Sequence, residues 1–162
     1  MPTPSADPIR LQIIDRFVTV LSAITAGASY WYTPGKVSKG FLLVPDIPAF
    51  PCYMVMAGEK GGQIVPEGMP DEHTETFTVS VKGVVQCNSS AEAMTTIERA
   101  LRDVRKAIND DSVSGSAGTL GVLAESVWIV EGPDMDDGYL IQNYGFFDQR
   151  FQVKIIGLFG EL

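Results

Sequence analysis

The fold is decided by residues 73–87, which read HTETFTVSVKGVVQC. Apolar and polar side chains alternate along this stretch, which is typical of a β-strand with one covered face and one solvated face. The apolar positions are Phe77, Val79, Val81, Val85 and Cys87, and the positions between them are Thr78, Ser80, Lys82, Val84 and Gln86. Gly83 interrupts the pattern and predicts a bulge or a bend.

A helix is predicted directly after this strand. Ser89 and Glu92 form a capping box, in which each side chain accepts a hydrogen bond from the other residue's backbone N–H. The spacing of apolar residues predicts a helix over residues 90–109, and the polar run 109–111 is expected to end it. Its apolar stripe consists of Met94, Ile97, Leu101, Val104 and Ile108.

A second helix is predicted near the start of the chain, over residues 8–26. Asp7 can cap its free backbone N–H groups, and Pro8 suits the first helical position. Gly27 can end it in a left-handed conformation. Its apolar stripe consists of Ile13, Phe17, Val20, Leu21 and Ile24.

The remaining elements are shorter. Strands are predicted at 29–32, 41–44, 52–56, 122–131 and 147–159, and loops at 58–71, 112–121 and 132–138. This order of elements predicts an α+β fold, a mostly antiparallel β-sheet with two α-helices packed on one face. We expect a single domain over residues 7–162, preceded by a flexible arm at residues 1–6.

The composition limits the classes of function. The 162 residues carry a formal net charge of -8 and no row of basic side chains, which disfavours tight binding to DNA or RNA. Residues 1–7 lack the basic and apolar regions of a secretory signal. No apolar run approaches the roughly 20 residues that a membrane helix needs. We therefore expect a soluble intracellular protein.

No catalytic, cofactor or metal site is predicted. His73 is the single histidine, and the sequence supplies no second or third group for a catalytic role. Cys52 and Cys87 are expected to be buried free thiols. The acidic run 134–138 lacks the spacing of a calcium loop, and the glycine-rich run 115–121 lacks the Lys of a phosphate-binding loop.

The order of elements is familiar from one group of proteins. An N-terminal helix ends near a glycine, and the proline-guided stretch VPDIPAFPCYMV covers residues 44–55. The alternating strand leads into a helix that carries Arg99, Arg102 and Arg105, and a loop then returns to a terminal strand at 151–157. Over residues 7–159 the chain resembles the tail terminator, or tail-completion, proteins of long-tailed bacteriophages.

The resemblance implies a structural role in the virion. Such proteins form a ring, commonly a hexamer, on the head-proximal end of the tail tube, where the ring stops tube polymerisation and offers a docking face to the neck. The implied partners are other copies of the chain, the tail tube protein and a neck or head-completion protein. The genome would pass through the ring without specific binding, and assembly would take place in the host cytoplasm. The family has no catalytic residues to carry over.

The assembly interface is expected in the loops 33–40, 58–71 and 112–121, because each is long or rich in glycine. The candidate interface residues are Thr33, Pro34, Gly35, Lys36, Lys39, Lys60, Gln63, Glu67, Asp71, Ser114 and Ser116. Three alternatives stay open. They are another neck or connector component, a ferredoxin-like ligand-binding regulatory domain and, in third place, an enzyme.

Overall fold

The structure, a computed structural model, describes residues 7–58, 63–66, 72–113, 120–130, 132, 134–136 and 143–158. It confirms the predicted α+β fold, with two long helices packed against a mostly antiparallel sheet. The helices are α1 (Ile9–Ser22), α2 (Ser90–Val113) and the short α3 (Leu120–Leu123), and a 3-10 turn covers Val44–Asp46. The strands are β1 (Lys36–Lys39), β2 (Cys52–Ala57), β3 (Gln63–Pro66), β4 (Glu72–Gln86), β5 (Ser126–Ile129), β6 (Asp134–Asp136) and β7 (Tyr144–Leu158).

The sheet is built around one long ladder. β4 and β7 have 15 residues each and pair antiparallel from Glu72 opposite Leu158 to Gln86 opposite Tyr144. The order across the sheet is β1-β2-β4-β7-β5, with β3 beside β4 and β6 beside β7. Only the β1–β2 pair, among the strand pairs of the described residues, is parallel.

The main core lies between the two helices and one face of this ladder. Phe17 of α1 meets Phe151 of β7 edge to face, with ring centroids 5.6 Å apart. The predicted stripes are confirmed for the buried residues Ile13, Phe17, Leu21, Ile24, Ile97, Leu101, Val104 and Ile108, which pack with Phe77, Val79, Val81, Val85, Phe151 and Val153. Met94 is an error of the sequence analysis, since it is 63% exposed. Ala93, four residues before Ile97, takes the inward position instead.

Both ends of α1 differ from the prediction. Asp7 does not cap the helix with its side chain; the capping position belongs to Pro8, and the Asp7 carbonyl accepts a bond of 2.6 Å from Gln12 Nε2. The helix ends at Ser22, well before Gly27. The chain then folds back on itself, because Ala26 N donates to Thr33 Oγ1 at 2.8 Å. Residues 29–32, predicted as a strand, belong to this irregular segment.

The predicted capping box at the start of α2 forms in one half, because the Glu92 carboxylate accepts from Asn88 N and not from Ser89 N. Ser89 Oγ accepts a hydrogen bond of 3.2 Å from Glu92 N, and the Glu92 carboxylate accepts one of 3.0 Å from Asn88 N. The predicted end at 109–111 is wrong, since α2 continues to Val113. Asp111 therefore lies inside the helix and not in a turn. Its carboxylate receives two hydrogen bonds from Arg16 of α1, at 2.6 and 3.1 Å.

Gly83 does not mark a bulge, because the β4–β7 ladder runs without interruption through Gly83 opposite Phe147. A Cβ added at Gly83 would lie 2.1 Å from atoms of the Phe147 ring. The glycine therefore makes room for an aromatic ring that lies directly over the strand.

Several shorter elements also differ from the prediction. The first edge strand is 36–39 and not 41–44, the predicted loop 58–71 contains β3, and the predicted turn 132–138 contains β6. The strand predicted at 122–131 is restricted to Ser126–Ile129, because α3 occupies the preceding residues. The second face of the sheet is partly apolar, since the segment before β2 covers a small cluster of Ile47, Cys52, Met54 and Val84.

Candidate assembly surface

The predicted interface residues fall into three groups. Thr33, Pro34, Gly35, Lys36 and Lys39 lie in β1 or immediately before it, at one edge of the sheet. Gln63 begins β3, opposite Thr76 of β4. Lys60, Glu67, Asp71, Ser114 and Ser116 lie outside the residues that the structure describes. The described part of the chain therefore brings together only the first group.

Two members of the first group have internal roles. Thr33 Oγ1 accepts the hydrogen bond from Ala26 N, which holds the return of the chain after α1. Gly35 lies so close to Ala49 and Phe50 that an added Cβ would be 2.6 Å from the nearest atom. The lysines at the two ends of β1 are exposed, and Lys39 Nζ forms an ion pair of 2.7 Å with Asp15 of α1.

The segment that leads into β1 is held by a buried carboxylate. Asp103 of α2 is fully buried, and its Oδ2 accepts hydrogen bonds from Trp31 N at 2.7 Å and Tyr32 N at 2.9 Å. Arg102 Nη1 donates to the carbonyl of Ser29 at 3.2 Å, and the Arg99 guanidinium lies 4.1 Å from the centre of the Trp31 ring. These contacts fix the path of the chain before β1 against α2.

Burial raises the pKa of Asp103 above its ordinary value, although the two backbone hydrogen bonds and the charge of Arg102 partly offset this effect. Asp103 Oδ1 has no hydrogen-bond partner among the described residues, and neither has the buried hydroxyl of Tyr53. Burial, and then the charges of Asp103 and Tyr32, raise the pKa of Tyr53.

The edge formed by β1 is open. Within the described residues β1 pairs with β2 alone. Lys36 N and Gly40 N both donate towards β2, to the carbonyls of Pro51 at 3.3 Å and Val55 at 2.8 Å. Phe41 and Leu43, just beyond the strand, are 59% and 60% exposed. This edge therefore combines unpaired backbone groups, two lysines and two exposed apolar side chains.

The opposite edge, formed by β5, is also open and apolar. In the part of the chain that the structure describes, β5 pairs only with β7. Trp128, Ile129 and Val130 are each between 40% and 45% exposed. This surface is not among the predicted interface residues, although the run of four apolar residues without alternation at 127–130 is a signal for it. Exposed apolar side chains in a row are typical of an interaction site.

A cleft between α1 and α2 is the second feature of interest. It has a volume of about 390 Å³, and Arg16, Asp111, Tyr30 and Ile24 are among the residues that line it. Burial raises the pKa of the Asp111 carboxyl, but the hydrogen bonds from Arg16 and Leu120 N and the Arg16 charge outweigh it, so the pKa lies below its ordinary value. Arg16 and Asp111 thus neutralise each other, and Asp110, a third charged residue of the lining, pairs with Lys106 at 2.6 Å.

Among the described residues, the remaining reactive side chains do not form a cluster. Cys52 and Cys87 are buried free thiols, as predicted, and burial raises the pKa of each. His73 lies in β4, opposite Gly157 of β7. Across the described ranges no cluster of three or more His, Cys, Asp or Glu could hold a metal ion. No helix in these ranges is long and apolar enough to span a membrane.

The chain matches no protein-family model and no curated protein sequence.

Proposed function

We propose that the protein is a structural component of a long-tailed bacteriophage virion. In this proposal six copies form a ring on the head-proximal end of the tail tube, end tube polymerisation and provide the docking surface for the neck. Two observations support it: the resemblance of residues 7–159 to tail terminator proteins, and an α+β fold of the kind that the resemblance implies. The proposed role includes no catalysis.

The observation that carries the proposal is the position of the two open edges. β1 and β5 lie at opposite ends of the strand order, and each is accompanied by exposed apolar side chains. A ring is built by a head-to-tail interface, which joins two different surfaces of the same chain. Two unlike adhesive surfaces on opposite sides of one subunit are what such an interface requires.

The charge of the chain fits the same role. The net charge of -8 makes the copies repel each other and would keep a passing DNA from binding to the ring. We therefore expect the free protein to associate weakly and the tube end to act as a template for the ring.

The proposal is tested by measuring the mass of the protein in solution, alone and with purified tube protein. We expect a closed oligomer, with a mass near that of six copies, when tube ends are present. A protein that stays monomeric and does not bind tubes would exclude the tail terminator role. Binding to neck proteins alone would favour another connector component.

The cleft between α1 and α2 favours one alternative, a ligand-binding regulatory domain. Its volume of about 390 Å³ is within the lower range of small-molecule sites. A rise in melting temperature with a small-molecule library, lost when Tyr30 is replaced by Ala, would favour this alternative over the ring.

A further inference from the structure

The two open edges match each other in their backbone groups. Successive residues of a strand direct their N–H and C=O groups to alternate sides. Lys36 and Gly40 bond towards β2, so Val37 and Lys39 direct their backbone groups away from the sheet. At the other edge Val130 N donates to the carbonyl of Arg150, so the backbone groups of Val127 and Ile129 point outwards. Each edge thus has two residues, two positions apart in the strand, whose backbone N–H and C=O groups point away from the sheet. These four are called the outward residues.

The two edges also match in the faces of their side chains. Val37 lies opposite Tyr53 and packs on the main core, and Lys39 reaches Asp15 of α1, so both side chains are on the helix face. Val127 and Ile129 lie opposite Val153 and Phe151, two core residues of the same face. Directly paired residues of a sheet must share a face. If the helices of both copies lie on the same side of the joined sheet, the side chains of all four outward residues are on that one face, as the pairing requires.

The strand directions decide how the edges would meet. β1 is parallel to β2, and each further step across the sheet, to β4, β7 and β5, is antiparallel. β5 therefore runs opposite to β1. If the ring axis is parallel to the strands, the rotation that relates neighbouring copies leaves the direction of each strand unchanged. β5 of one copy then meets β1 of the next copy as an antiparallel pair.

Charge favours this pairing over pairing of two identical edges. β1 has exposed lysines at both ends, and two β1 edges related by a two-fold axis would place lysines close to lysines. Lysines on edge strands are a known means of preventing such contact. Beyond β5 the same border of β7 carries Asp134 and Asp136 of β6, so the charge of this border is complementary to that of β1. Glu125, directly before β5, is already paired with Lys154 at 2.6 Å.

We propose that the sheet continues from one copy to the next, with β5 of each copy paired antiparallel to β1 of its neighbour. This inference rests on the proposed ring and specifies its interface. The register that pairs the outward residues sets Ile129 against Val37 and Val127 against Lys39, with Trp128 opposite Ser38. Ser38 and Trp128 then form the closely spaced, non-hydrogen-bonded kind of pair, with Cα atoms about 4.5 Å apart.

This pair can be tested by disulfide formation, which needs Cα atoms roughly 4.4–6.8 Å apart. The variants Ser38→Cys and Trp128→Cys are prepared separately, and each is checked by its melting temperature. They are mixed in equal amounts, assembled on tube ends and oxidised. We expect covalent dimers in the mixture and none in either variant alone. Native Cys52 and Cys87 are buried, so the unmodified chain provides the background.

The matched control replaces Trp128→Cys with Thr95→Cys, at an exposed position of α2. If Trp128→Cys does not fold, the next pair in the same register, Lys36→Cys with Val130→Cys, takes its place.

The outcomes separate this inference from the proposed ring. Rings whose Ser38–Trp128 mixture links no more than the Thr95 control would overturn the strand pairing and leave the ring intact. Dimers formed by Ser38→Cys alone would show a two-fold contact of β1 and would also overturn the pairing. An unmodified chain that forms no ring on tube ends overturns both.

Discussion

Asp103 is a buried carboxylate that holds a neighbouring segment of the backbone in place. Its carboxylate accepts the backbone N–H groups of Trp31 and Tyr32, which belong to a segment without regular secondary structure. A buried backbone group without a partner costs about 1–3 kcal/mol. We expect Asp103→Leu to lower the free energy of unfolding by about 2 kcal/mol or more in urea denaturation, for this reason. Asp103→Asn keeps an acceptor and should lose much less. Equal stability of the two variants would contradict this role.

Asp103 and Asp111 should respond to pH in opposite directions. The pKa of Asp103 is raised in the folded state, so its contribution to stability is present at low pH and is lost as the pH rises from 3.8 through the folded pKa. The pKa of Asp111 is lowered, so its contribution is present above 3.8 and is lost as the pH falls through the folded pKa. The measurement is the unfolding free energy against pH for the unmodified chain, Asp103→Asn and Asp111→Asn. The same sign of pH dependence for both carboxyls would refute the assignment.

Gly83 is expected to be intolerant of even one methyl group. The added Cβ of Gly83→Ala would meet the Phe147 ring at 2.1 Å within a continuous ladder, and overpacking of this kind costs about 1–3 kcal/mol. Gly27→Ala is the control, because no atom lies within 4 Å of its added Cβ. Thermal denaturation should show a clear loss for Gly83→Ala and little change for Gly27→Ala. If both variants melt at the same temperature, the aromatic ring of Phe147 does not restrict the side chain at position 83.

For single hydrogen-bonded residues, the sequence predicted only the roles whose partners lie nearby in the chain. The capping pair Ser89 and Glu92 could be predicted because both partners lie within one turn. The contacts of Asp103 with Trp31 and Tyr32 and of Asp111 with Arg16 could not, because these partners are 71 or more residues away in the chain. An Asp in a helix is normally solvated, so neither residue gave a signal in the sequence.

The accuracy with which each element was predicted depends on the length of its sequence pattern. β4 and α2 were predicted well, because 15 and 24 residues give many repeats of a period. β3 and β6, with four and three residues, were predicted as loops. Their pairing is provided by the long β4 and β7, and such a partner cannot be deduced from the short segment itself.

The stripe of α2 yields a prediction with an internal control. Leu101 is fully enclosed by the main core, whereas Met94, on the same helix, is 63% exposed. Truncation of a buried Leu to Ala costs about 2–5 kcal/mol, because it leaves a cavity. Leu101→Ala should therefore lower the free energy of unfolding by that amount, and Met94→Ala should leave it nearly unchanged. Loss of stability in Met94→Ala but not in Leu101→Ala would reverse the assignment of the buried face.

The candidate assembly surface was predicted in part. The turn before β1 lies at an open edge of the sheet, but Thr33 and Gly35 stabilise the fold of that edge itself. The β5 edge was missed, because its apolar run is equally typical of a buried strand. Only the strand order shows that Trp128 and Ile129 are at the border of the sheet.

At the scale of the whole molecule, the proposed ring depends on two unlike edges that can join one copy to the next. The test that bears on it most directly is electron microscopy of purified tube protein polymerised with and without this protein. We predict a ring at one end of each tube in its presence, and tubes that stop growing at that end and are therefore shorter. Tubes of unchanged length with no density at either end would contradict the proposed function.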